Sequence, residues 1–275
     1  MLINYGFEIA INVPQPTPII TLLDITEGRR ADVLTESAFV TTPEVSNSQY
    51  RDQFNNRCRR MVAPPGDFLI TLNGTIRDRG EHDFIGTNLA EVPIPDLPDD
   101  VIVYLLGSRY CETDQLSDMA WKEFGGVTPG WSRVQAIVDF VHRRLTFGYS
   151  HARATRTAAE AHQEQVGVCR DFAHLTIALC RCLNIPARYV NGYLGDIGVP
   201  RDPAPMDFSA WCEVYLGGRW CTFDARHNTP RIGRIVVARG RDATDVPLLH
   251  SFGPHVLKTF KVWTDEVSEE APAAA

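Results

Sequence analysis

At 275 residues, with 44% hydrophobic and 22% charged side chains, the chain holds enough apolar material for sizeable cores and is long enough for roughly two domains. Its net charge of -7, from 27 basic and 34 acidic residues, offers no concentrated positive face, so nucleic acid is excluded as an expected partner. No apolar run approaches the length of a membrane span, and MLINYGFEIAINV lacks the positive leader and apolar block of a secretory signal, so the expected location is the cytoplasm with no membrane partner.

The first hundred residues read as strands. Phe7, Ile9, Ile11 and Val13 alternate along GFEIAINV, as do Phe68, Ile70 and Leu72 along FLITLNGTI, with turn-forming Pro, Gly and Asn between the segments. The prolines of AEVPIPDLPDD favour an extended connection, which places a domain boundary near residue 105. The expected division is a β domain over 1–105, a second domain over 106–265 and a disordered tail over 266–275.

Beyond residue 105 the apolar period lengthens. Val134, Ile137, Val138, Val141 and Leu145 recur at helical spacing in WSRVQAIVDFVHRRL, and the preceding TPGW offers a threonine cap and a first-turn proline. TAAE at Thr157–Glu160 is a capping-box pattern that predicts a short helix ending in a loop near Val166–Val168. CRDFAHLTIALCRCLNIP is apolar on nearly every face and predicts a buried helix, stopped by Asn184-Ile185-Pro186 and followed by a strand in ARYVNGYL. Further strands are expected in RIGRIVVARG and TFKVWT.

Seven irregularly spaced cysteines, with no C-x-x-C pair and no Cys/His cluster of zinc-ligand spacing, predict free thiols, no metal and no cofactor. Most of them read as small buried apolar residues. Cys169 differs because it opens the buried helix, where unpaired N–H groups and the positive end of the helix dipole favour a thiolate; one more buried cysteine is the competing reading. His174, five residues on, lies about 140° round the helix and is not expected to partner it.

DFSAWCEVYLGGRWCTFDARHN predicts a hairpin. If Gly217-Gly218 forms a two-residue turn, Leu216 pairs with Arg219, Glu213 with Thr222, Trp211 with Asp224 and Ser209 with Arg226. Ser209, Trp211, Asp224 and Arg226 then share one face, while His227 points to the other unless the strand has already ended.

GVCRDFAHL, DFSAWCEVYLGGRW and TFDAR together resemble the transglutaminase-like superfamily over about residues 131–228, and the N-terminal β region resembles that of a bacterial subgroup with an added β domain. The resemblance implies an α+β fold: a papain-like core, with the buried helix opening at Cys169 and packed on an antiparallel sheet, preceded by a β-sandwich-like domain. It implies Cys169 as the nucleophile and Asp224 as the acid. It also implies a histidine directly before Ala210-Trp211, where this chain has Ser209, and a serine hydroxyl has no usable basicity near neutral pH.

Two functions are therefore expected from the sequence. In the first, a Cys169 thioester carries amide acyl transfer or hydrolysis on a peptide, protein or small amide, with a base other than residue 209. His227 is the nearest candidate base, with His151, His162, His250 and His255 behind it, each of which also reads as a surface or capping residue. In the second, a papain-like cleft without turnover binds a peptide or small acidic ligand through Ser209, Trp211 and Arg226, the last either gripping a ligand carboxylate or pairing with Asp224. Arg231, Arg234, Arg239 and Arg241 read as a solvated strand face, and Asp171 as a first-turn helix charge.

Overall fold

The computed structural model describes residues 1–267. Its N-terminal stretch contains β1 (Leu2–Val13), β2 (Thr17–Thr21), β3 (Val33–Glu36), β4 (Val40–Thr42), β5 (Asn47–Arg51), β6 (Arg57–Ala63) and β7 (Gly66–Arg77). Alternation decides which faces are buried: Ile3, Tyr5, Phe7, Ile9, Ile11 and Val13 of β1 and Phe68, Ile70, Leu72 and Ile76 of β7 all point into the core.

The helices and the central sheet follow as α1 (Asp99–Ile102), α2 (Thr113–Phe124), α3 (Trp131–Arg144), β8 (Thr146–Phe147), α4 (Ala158–Glu164), β9 (Val166–Gly167), α5 (Cys169–Cys182), β10 (Ala187–Tyr193), β11 (Ser209–Leu216), β12 (Arg219–Phe223) and β13 (Ile235–Gly240). α4 carries the expected capping box, with Thr157 and Glu160 each satisfying the other's backbone N–H. The cap of α3 falls two residues after the expected Thr128: Gly130, at φ 99°, takes the cap position, and its N–H donates to Glu91 at 2.9 Å. A Cβ at Gly130 would overlap the Leu89 carbonyl, so glycine is required there on two counts.

α5 packs on β10 and β11, within an antiparallel sheet of order β12-β11-β10-β13. Phe172, Leu175, Ile177, Leu179 and Cys180 are all buried, as expected of a helix that is apolar all round. The architecture is α+β.

The C-terminal segment departs from the expected division. β14 (Leu249–Ser251) pairs with β2, and β15 (Val256–Glu266) pairs with β1 from Ile3↔Glu266 to Asn12↔Val256. The chain after β13 thus completes the two N-terminal sheets, of order β15-β1-β7-β3 and β14-β2-β6-β5, rather than extending the second domain to residue 265. β1 fits between β7 and β15 because residue 6 is glycine; a Cβ there would overlap the Trp263 ring and the Leu72 carbonyl. One contiguous apolar cluster runs from β1 through α5 to β13, so the two units share a core. Glu266, the first residue of the expected tail, ends β15, and 268–275 lie outside the described residues. No helix among the described residues is long and apolar enough to cross a membrane.

Candidate active site

Cys169 is held by the first turn of α5. Asp171 accepts the Val168 N–H at 2.9 Å and Arg156 at 3.0 Å, and Gly167 leaves room for that buried carboxylate where a Cβ would collide with it. Asp171 therefore shapes the turn that presents the sulfur, which is more than the dipole charge expected of it. The thiol itself differs from expectation: burial pushes Cys169 up to about 11, against the pull of the Arg226 charge and the Ala210 N–H. Desolvation outweighs both, which favours a protonated thiol near neutral pH, a form that needs a base.

The hairpin keeps its predicted register from Leu216↔Arg219 to Cys212↔Phe223 and then stops. The predicted Ser209–Arg226 and Trp211–Asp224 pairs therefore do not form, and on the other edge of β11 Ser209 pairs with Gly192 of β10. Residues 225–227 turn instead, and Asp224 organises the turn by accepting the Arg226 N–H at 3.1 Å and the His227 N–H at 3.3 Å. Asn228 follows at φ 51° and is tied to Asp139 and Gln135 of α3 at 3.0 Å each. The His142 ring also bonds the Ala225 carbonyl at 2.9 Å. α3 thus fixes where the turn sits.

The turn carries His227 back onto Asp224, with Nδ1 at 2.9 Å from Oδ2. Arg234 reaches the same oxygen at 3.0 Å and also holds Asp83 at 2.9 Å. Burial alone would raise the Asp224 carboxyl, but Arg234 and His227 reverse the effect and hold it well below the usual carboxylate range. An ionised carboxylate can only accept, so the proton between them belongs on His227 Nδ1, and Nε2 is left as the basic nitrogen.

Several expected roles are corrected. The Arg226 side chain does not pair with Asp224; it lies over the Phe147 ring at 3.9 Å. Trp211 is 1% exposed and packs with Val190 and Val236, so it is a core residue with almost no surface left for a ligand. Arg234 and Arg231 are buried, while Arg239 and Arg241 hold Glu213 and Asp245 at 2.9 Å, which replaces the solvated strand face.

Two cavities meet at Asp207 and Ser209. One, of about 720 Å³, is lined by Tyr149, Arg226 and His227; the other, of about 750 Å³, by Cys169, Tyr189, Asn191 and apolar side chains that include Ile9, Ile11 and Phe260. Asp207 was not singled out in the sequence; burial raises its pKa against the Phe208 N–H and Arg226. Among the described residues no hydrogen bond joins His227 to Cys169, so the two chemical groups open on either side of the Asp207–Ser209 partition.

The other histidines fall elsewhere. His174 is fully buried, accepts the Ala243 N–H at 3.1 Å and is pushed down to about 3 by burial. His162 stacks on Phe140 and His151 lies in a short 3-10 turn. His250 and His255 line the Cys169 cavity, where His255 Nδ1 is 2.6 Å from Ser251 Oγ.

Residues 119–225 match the sequence model of the transglutaminase-like superfamily core. The solved structure of a "Putative Cysteine Protease" from Cytophaga hutchinsonii superposes with a TM-score of 0.84 and 31% identity, covering 99% of this chain and 92% of that one. An uncharacterized protein of Mycobacterium leprae is 38% identical over 29% of this chain and 29% of its own length. One from Mycobacterium tuberculosis is 33% identical over 50% of this chain and 46% of its own length. The chain therefore spans less than half of these curated relatives.

Proposed function

The chain belongs to the transglutaminase-like superfamily, and from that premise we propose that it is a thiol enzyme in which Cys169 transfers or hydrolyses the acyl group of an amide. One observation carries the proposal: Cys169 sits at the start of a buried helix and opens into a cavity that joins, at Ser209, the cavity holding an Asp224-anchored imidazole. The likeness to the Cytophaga hutchinsonii chain, described as a "Putative Cysteine Protease", supports thiol chemistry.

In the proposed reaction His227 Nε2 accepts the thiol proton, and the sulfur attacks the carbonyl carbon. The Cys169 N–H, at the open end of α5, donates to the developing oxyanion. The C–N bond breaks, the amine leaves with the proton held by His227, and a thioester remains. Water or a second amine then gives its proton to His227 as it attacks, and the released thiolate recovers that proton. Ser209 occupies the partition between the two groups, where a hydroxyl can donate and accept hydrogen bonds without acting as the base.

The direct test is incubation with an acyl p-nitroanilide and an acyl p-nitrophenyl ester, acid quenching and intact-mass measurement. An acyl adduct mapping to Cys169 is expected; release of p-nitroaniline with an adduct elsewhere, or no turnover of either substrate, rejects the reading. His227→Ala is expected to lower the acylation rate by about a hundredfold, the usual size of a general-base contribution. A rate in that variant within twofold of the parent assigns the base elsewhere, His255 being the next imidazole in the Cys169 cavity.

The absence of a His227–Cys169 hydrogen bond favours a second reading, a papain-like cleft that binds a peptide or small acidic ligand without turnover. It predicts peptide affinity that Cys169→Ala leaves intact and no thioester under any condition.

A further inference from the structure

The arginines around the two cavities are not equivalent. In the Cys169 cavity, Arg153 is paired with Glu160 and Glu164, and Arg170 donates to the Ala154 and Arg153 carbonyl oxygens and reaches Asp171. In the adjoining cavity, Arg231 donates to the Gly195 carbonyl and pairs with Asp196. Arg226 is the exception among the half-buried and buried arginines here: no carboxylate lies within ion-pair distance of its guanidinium among the described residues.

Its position is nonetheless fixed. The guanidinium rests on Phe147 at 3.9 Å, and the Tyr149 hydroxyl stands beside it. A guanidinium held over an aromatic ring has less freedom left to lose on binding, which suits bidentate capture of a carboxylate. Asp207, the acid on the shared wall, makes no ion pair with it. Arg226 lines the cavity that adjoins the Cys169 cavity at Asp207 and Ser209, so an anion captured there lies across that junction from the sulfur.

The other side of the sulfur has the opposite chemistry. Ile9, Ile11, Leu248, Leu257 and Phe260 line the Cys169 cavity, and Asn191, 6% exposed, donates to the Val246 carbonyl at 3.0 Å while its Oδ1 has no partner. This is a pocket for an apolar group, with one hydrogen-bond acceptor left open on its wall.

We propose that Arg226 is the carboxylate-recognition residue of the site, and that the substrate is an amide of an apolar acyl group with an amine that carries a carboxylate, such as an N-acyl amino acid or the C-terminal residue of a peptide. The acyl group lies in the apolar cavity, and the carboxylate meets Arg226 on the leaving-group side. The proposal deepens the thiol-enzyme reading and rests on it for the direction in which substrate lies.

Binding separates the two. With the full chain carrying Cys169→Ala, calorimetry with N-hexanoyl-alanine and N-hexanoyl-alaninamide is expected to show the free acid binding about 10-fold to 100-fold more tightly, the range for a charge-assisted pair. Adding Arg226→Gln is expected to bring that ratio to within twofold of unity, and Arg226→Lys to leave an intermediate preference. Equal affinity for acid and amide, no measurable binding of either, or a preference unchanged by Arg226→Gln overturns the proposal. The acid preference appearing in a protein that never forms a thioester upholds the Arg226 site and sinks the enzyme reading instead.

Discussion

Cys169→Ala is expected to abolish acyl transfer, lowering turnover of an activated amide by at least about a thousandfold, because removing the nucleophile of a covalent mechanism leaves only binding and oxyanion contacts. The titration of the parent thiol sharpens the test. With burial pushing the Cys169 pKa up to about 11, iodoacetamide alkylation at that position should remain slow at pH 7 and keep rising through pH 10. The helix terminus alone would produce the opposite profile, a reactive thiolate at neutral pH. The other cysteines are free and buried, so labelling of the folded chain reports chiefly on Cys169. Fast alkylation at pH 7 that disappears in Cys169→Ala would mean that the sulfur is already ionised and needs no base. Turnover retained in Cys169→Ala would remove the covalent route altogether.

The proposed base owes its place to where the chain turns, and that was only half visible in the sequence. The Gly217-Gly218 turn and the alternation on either side fix the register down to Cys212↔Phe223, so counting residues was enough for the strands. Counting fails at Asp224, since whether a strand continues depends on having a neighbour to pair with. The Ala225–His227 turn and the left-handed Asn228 end the ladder, reversing the face of His227 and withdrawing Arg226 from Asp224. The conditional reading, that His227 changes sides if the strand stops, is the form in which this information existed in the sequence.

Long-range partners were not legible at all. Arg234 reads as a surface charge until Asp83, 151 residues away, and Asp224 are brought to it. β15 reads correctly as a strand, but nothing local says that it pairs with β1 at the other end of the chain. α2 left a weak signal in the spacing of Leu116, Ala120 and Phe124, all buried on one face and interrupted by polar residues that masked the period. Asp207 carries no local signal whatever, because its interest comes from the two cavities that meet there.

The second large effect falls on stability. Asp224→Ala is expected to cost about 3 kcal/mol, toward the low end of what breaking a buried ion pair costs, because Arg234 keeps Asp83 as a partner. The loss should appear as a lower urea midpoint with an unchanged slope. Arg234→Met combined with Asp224→Leu should recover only part of it, since removing both charges of this pair leaves Asp83 without the guanidinium that held it at 2.9 Å. The pH dependence has a definite sign. The folded carboxyl is held below its unfolded value of about 3.9, so its contribution is complete above that pH and is lost as pH falls through the folded pKa. The gap in stability between parent and Asp224→Ala should therefore be constant from pH 5 to 8 and narrow only in stronger acid. A gap that instead changes between pH 5 and 8 would mean that Arg234 is not the partner that dominates the coupling.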